Sequence, residues 1–165
     1  MTLQIVTTGF TRPADTTSYT NKDVIGTIPG AALTFAGVAP GPGGMGYITN
    51  AMVRIDGAWG PSQSLLFYTT APTAVDDNSP WPFLYASDYI GAIPLAAESS
   101  DSFGSGSDST ARIGMVNSLV TPSLMFRCAP GSRSIYGVLV AMGNSAPPTS
   151  AARISVQLTV DWRNE

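Results

Sequence analysis

The sequence contains no histidine. That removes Ser–His and Cys–His nucleophile activation, histidine-based zinc sites and the commonest general base. Cysteine occurs once, as Cys128 in the apolar run LMFRCA, so no internal disulfide can form and the thiol is expected to be buried as a small hydrophobe. Lysine also occurs once, as Lys22, and all charged residues together make up 12% of the 165 positions. No basic stretch exceeds one residue, and no aromatic sits in an Arg/Lys-rich strand pattern. Both facts argue against nucleic-acid binding. The longest apolar run, YGVLVAM, is far too short to cross a bilayer. The opening MTLQIVTTGF lacks the basic start and long apolar core of a secretory signal. The expectation is a chain made in a cytoplasm and soluble there, with no membrane partner.

What is present is apolar and strand-like. Apolar residues make up 44% and the net charge is −3, too apolar for a disordered chain. With so few charges, the surface is either covered by Ser, Thr, Asn and Gly or partly lost to a partner. The length suits one domain over residues 1–165. Period two dominates: in RISVQLTVDW, Ile154, Val156, Leu158, Val160 and Trp162 alternate with Arg153, Ser155, Gln157, Thr159 and Asp161, the pattern of a half-buried strand with one wet face. Further strands are expected in TLQIVT, DVIGTI, AALTFAG, YITNAMVRID, QSLLFYTT, YIGAIPL, ARIGMVNSL, SLMFRCA and SIYGVLVAM. Leu65–Tyr68 and Ile135–Met142 are continuously apolar and are expected to be central strands or strands covered on both faces. The 17 glycines and 13 prolines are spread too evenly to leave room for long helices. The fold class read from this is all-β, a single-domain β-sandwich, jelly-roll-like, with long loops. Two segments are loop-like: a polar extended stretch from 11 to 23, and a Ser/Gly/Asp-rich loop from about 97 to 112.

Gly41, Gly43 and Gly46 stand in the spacing G-x-G-x-x-G. A dinucleotide loop must follow a strand and open a helix. Here YITNAMVRID continues as a strand, and Pro40 and Pro42 remove two backbone donors from the loop. No acidic residue lies about twenty positions on. The glycines read instead as turn residues taking positive φ, and no cofactor is expected.

Carboxylates remain as candidates for chemistry. Asp76 and Asp77 are adjacent but lack calcium-loop spacing, and a turn between strands accounts for them. Asp101 and Asp108 read as solvated charges. A carboxylate pair brought together by the fold could hydrolyse a glycosidic bond, but no catalytic residue and no metal site is assigned, and the chain is read as not an enzyme. Trp59 and Trp81 lie near loops, where an aromatic could stack on sugar or plug into a protein neighbour; Trp162 belongs to the inward face of the last strand.

The stretches FTRPADTTSYTNKDVIG, LTFAG, LLFYTTAPTAVDDNSPWPFLYASDYIG, SIYGVLVAM and ISVQLTVDW together resemble a family of small structural proteins of tailed bacteriophages, accessory components of the head. The likeness runs over most of the chain, though the Ser/Gly loop from Ser99 to Thr110 lies outside it. It implies a capsid decoration or cement protein on the virion surface. Such a protein would be a homotrimer with a jelly-roll-like body, binding the major capsid protein and clamping without turnover. Phe10, Arg12, Tyr19 and Trp81 are the interface candidates on that reading. The alternative is a head-fibre or tail-associated carbohydrate-binding module.

Overall fold

A computed structural model describes residues 2–56, 62–82, 87–95, 101–102, 110–115, 123–144 and 149–162. They form β1 (Thr2–Thr11), β2 (Val24–Ile25), β3 (Leu33–Phe35), β4 (Met45–Ile55), β5 (Gln63–Tyr68), β6 (Tyr89–Leu95), β7 (Asp101–Ser102), β8 (Thr110–Met115), β9 (Leu124–Arg127), β10 (Ile135–Ala141) and β11 (Arg153–Trp162). Among the described residues, each segment expected as a strand contributes one, and no helix occurs. The short β7 is the one strand without a pattern of its own. It lies in the Ser/Gly-rich stretch and pairs with β8. Residues 96–100 and 103–109 of that stretch, and Trp59, lie outside the described residues.

The strands form two antiparallel sheets. One runs β1-β11-β4-β8-β7, with β9 also on β4; the other runs β2-β10-β5-β6, with β3 also on β10. β9 and β8 pair with successive lengths of the same strand, Met45–Ile48 and Asn50–Ile55 of β4. β3 and β2 do the same along β10. Taking each such pair as one position, and setting aside the two-residue β7 at the sheet edge, leaves the order 1-8-3-6 in the first sheet and 2-7-4-5 in the second. That is the winding of a jelly roll, in which successive strands cross from sheet to sheet except at the β5–β6 hairpin.

The core lies between the sheets. Ile154, Val156, Leu158 and Val160 of β11 and Ile48, Val53 and Ile55 of β4 face Leu65 and Phe67 of β5 and Leu139 of β10. Phe35 and Phe67 pack at 6.0 Å between ring centroids, tilted. Along β4 the inward phase slips by one between Ile48 and Ala51. The cause is a bulge: Thr159 pairs with Asn50 and Val160 with Ile48, leaving Thr49 over. Burial of this apolar set is the main driving force for the two-sheet arrangement.

β5 and β10 are central in their sheet, and their continuous apolar pattern follows from burial on both faces. Leu66, Tyr68, Val138 and Val140 point away from the sandwich centre and form a second cluster with Val24 and Trp81. The loops after β2 and after β5 lie over this cluster as a third layer, with Ala31, Ala32, Pro72 and Val75 beside Val24, Trp81 and Val138.

Gly41 and Gly43 of the glycine motif lie in the turn between β3 and β4, whereas Gly46 is already in β4, and they do different work. Gly43 has φ +70°, whereas Gly46 is a close-packing site where a Cβ would stand 2.7 Å from the Phe126 ring. The wet face expected of β11 departs from its pattern at one residue. Asp161 is buried.

Candidate functional site

Two loops carry most of the residues singled out in the sequence, and they converge. The first leaves β1 at Arg12, whose backbone N–H bonds Ala152 O at 3.0 Å, while Ala151 N–H returns a bond to Pro13 O at 3.2 Å. Asp15 accepts from Thr17 N–H at 3.1 Å, a side-chain-stabilised turn that sends the chain back over the sheet. Lys22 N–H bonds Ala141 O at 2.8 Å and Ala141 N–H bonds Asp23 O at 2.9 Å, tying the loop to the end of β10. The second loop runs from the end of β5 to Trp81. It is laced to the first by bonds from Val24 N–H to Ser79 O (2.9 Å), Asn78 N–H to Val24 O (2.8 Å) and Trp81 N–H to Lys22 O (2.9 Å). Gly30 N–H adds a bond to Asp76 Oδ1 at 2.7 Å.

At the centre is a buried polar cluster of Arg12, Tyr19 and Asp77. Asp77 Oδ1 accepts from Tyr19 O–H at 2.7 Å and from Gly26 N–H at 2.8 Å. Asp77 Oδ2 accepts from Arg12 Nη2 at 3.1 Å, with both side chains fully enclosed. Arg12 Nε donates to the Tyr19 hydroxyl oxygen, and the guanidinium carbon stands 4.9 Å from the Tyr19 ring centroid. Arg12 Nη2 also reaches the partly exposed Asp15 at 3.4 Å. A charge taken out of water is tolerated only when paired and hydrogen-bonded, and Asp77 meets that condition with three donors. Burial pushes the Tyr19 hydroxyl well above its ordinary ionisation range, and the hydrogen bond to Asp77 pushes it further the same way.

This corrects where two interface candidates sit. Arg12 and Tyr19 are almost wholly enclosed by their own chain, so their side chains lock the two loops together and offer little to a neighbour. The 11–23 segment, expected to be a polar extended loop, is likewise pinned at both ends through its backbone. Phe10 is half-buried on β1 and packs against the main core. Trp81 is 8% exposed; its Nε1–H donates to the Tyr68 hydroxyl oxygen at 3.2 Å and its ring meets Tyr68 edge-on at 6.0 Å. A pocket of about 230 Å³ opens beside it, lined by Tyr68, Ala71, Pro72, Thr73, Trp81, Pro82 and Asp88. An aromatic that stacks on sugar must present a ring face, and Trp81 presents little of one.

Asp76 and Asp77 diverge rather than cooperate. Asp77 is turned inward onto its three donors, while Asp76 is exposed and bonded to Gly30. Among the described residues no group of three or more His, Cys, Asp or Glu side chains comes together to hold a metal ion. Cys128 is buried and free, its thiol pushed up by burial.

Sequence reasoning placed Asp77 in a turn and Arg12 and Tyr19 at a surface; it did not join them. Compared with known proteins, the chain matches no protein-family model and no curated relative.

Proposed function

We propose that this chain is a structural virion protein, a decoration or cement subunit that binds the outside of a bacteriophage head shell and bridges its major capsid protein subunits. The observation that carries the reading is the meeting of RPADTTSY and APTAVDDN at Arg12, Tyr19 and Asp77. These are two of the stretches on which the resemblance to phage head proteins rests. Their joint product is a locked pair of loops on a β-sandwich, a device for holding shape. A cement subunit needs such a body: it gains affinity when little order is lost on docking, and many modest contacts around a shell add up. The expected assembly is a homotrimer.

The test is attachment. Purified protein mixed with intact shells that lack it should sediment with them and raise their thermal stability, and should not bind free shell subunits. Failure to attach to intact shells removes the reading, whatever the oligomeric mass of the free protein.

A further inference from the structure

We infer that the outer face of the six-stranded sheet is a docking surface for an acidic, partly apolar protein surface. The inference rests on the decoration reading and names the face that meets the shell. Register places the outward side chains in rows across β1, β11, β4 and β9. Leu3, Asp161, Tyr47 and Met125 form one row, and Met45 stands opposite Arg127 in the next. Ile5 lies beside Thr159, and Met52 beside Gln157 and Thr7. Leu3, Ile5, Met45 and Met125, each 40–63% exposed, are four of the six large apolar side chains most open to water among the described residues. Gathering them on one sheet face is unusual for a surface meant to stay wet.

The same face is basic in an acidic chain. Arg54, Arg127 and Arg153 are exposed on it, and none forms an ion pair among the described residues. Two carboxylates hold outward register positions in its described strands: Asp161, which is buried and whose Oδ1 has no hydrogen-bond partner, and Asp101 of the two-residue edge strand β7, opposite Ala111, which in turn stands opposite Arg54. Asp56 follows just beyond the end of β4. Met, Tyr and Arg are the residue types enriched at protein interfaces, and Lys is depleted; the chain's single lysine lies elsewhere. Four strand positions about 4.8 Å apart and about ten residues long make a face of roughly 700 Å², close to the ~800 Å² per partner of a specific interface.

Charge selects the occupant. A second copy docked face to face would set arginines against arginines. The carboxylates of a copy's loop layer are largely occupied, since Asp77 and Asp23 are buried and Asp15 and Asp76 bond within the loops. A partner bringing free carboxylates to the arginines and apolar side chains to Leu3, Ile5, Met45 and Met125 fits the face.

Methionine oxidation footprinting reads this directly, because Met142, 48% exposed at the end of β10 in the other sheet, is an internal control. With dilute peroxide, free protein should oxidise at Met45, Met125 and Met142 alike. On intact shells Met45 and Met125 should be protected several-fold and Met142 should not. Arg54→Glu with Arg127→Glu should weaken attachment about tenfold and flatten its salt dependence at unchanged Tm, whereas Lys22→Glu should not. Attachment without protection of Met45 and Met125, or without sensitivity to the arginine changes, overturns this inference and leaves the decoration reading standing. Protection of Met45 and Met125 already in free protein would show that a second copy covers the face, which also overturns it. No attachment at all removes both.

Discussion

Arg12 and Asp77 are 65 positions apart in the chain and 3.1 Å apart in the fold, sealed from water on both sides. The pair joins the loop that leaves β1 to the loop that leaves β5. Removing one partner strands the other charge in a dry site. Asp77→Ala is therefore expected to lower unfolding stability by about 3–5 kcal/mol, read from urea titration. Arg12→Met alone should cost a similar amount, and the double substitution should cost clearly less than the sum. Additive losses would show that the two side chains do not act as a pair.

The strands were legible because a half-buried strand writes its period into the sequence. Ile154 to Val160 alternate, and the third layer is announced by the unbroken apolar runs of β5 and β10. The cluster was not legible, since no period links Arg12 to Asp77; only the route of two loops over one sheet face brings them together. Tyr19 shows the same limit. A tyrosine in a polar loop looks exposed until its ring is seen beneath the guanidinium. Asp161 sits in the polar phase of β11 and is nonetheless buried, with Leu3 of β1 and Tyr47 of β4 as its register neighbours. The two roles of Gly43 and Gly46 were hidden for a similar reason, as the Phe126 ring that needs the space arrives from β9.

Tyr19 makes stability depend on alkaline pH. Its hydroxyl ionises near 10 in an unfolded chain and well above that in the fold. The stabilisation is therefore complete below about pH 10 and declines as pH rises past it, because the unfolded chain releases a proton that the folded one keeps. The slope contributed by this one group is at most about 1.4 kcal/mol per pH unit. Tyr19→Phe should be less stable at neutral pH by about 1–3 kcal/mol, having taken a donor from Asp77. The gap to wild type should narrow between pH 10 and pH 11. A gap that stays constant over that window would mean that Tyr19 ionises as freely in the fold as outside it.

Gly46 tests the packing account of the glycine-rich turn. An added Cβ would lie 2.7 Å from the Phe126 ring and 3.3 Å from Asp161 O. Gly46→Ala should cost about 1–3 kcal/mol through overpacking. Phe126→Leu in the same chain should recover part of that loss, although Phe126→Leu alone is destabilising. Gly41 has nothing within 4 Å of its virtual Cβ and no positive φ, so Gly41→Ala should be nearly neutral. Equal losses at the two positions would point to chain flexibility as the common cause and away from the Phe126 contact.

Trp81 separates a structural aromatic from a stacking one. Its ring fills the second cluster with Val24, Leu66, Tyr68, Val138 and Val140, and its N–H is satisfied by Tyr68. Truncation to alanine should cost about 3–5 kcal/mol of stability and lower Tm in step with any loss of shell attachment. Trp81→Phe keeps most of the packing and gives up the hydrogen bond, so it should lose roughly 1–2 kcal/mol and attach to shells as wild type does once folded. A ring whose work is to stack on a sugar would behave differently. Its replacement by alanine would leave Tm almost unchanged while abolishing binding on a glycan array. The enclosure of Trp81 predicts the first pattern, and finding the second would return the pocket beside it to the centre of the functional question.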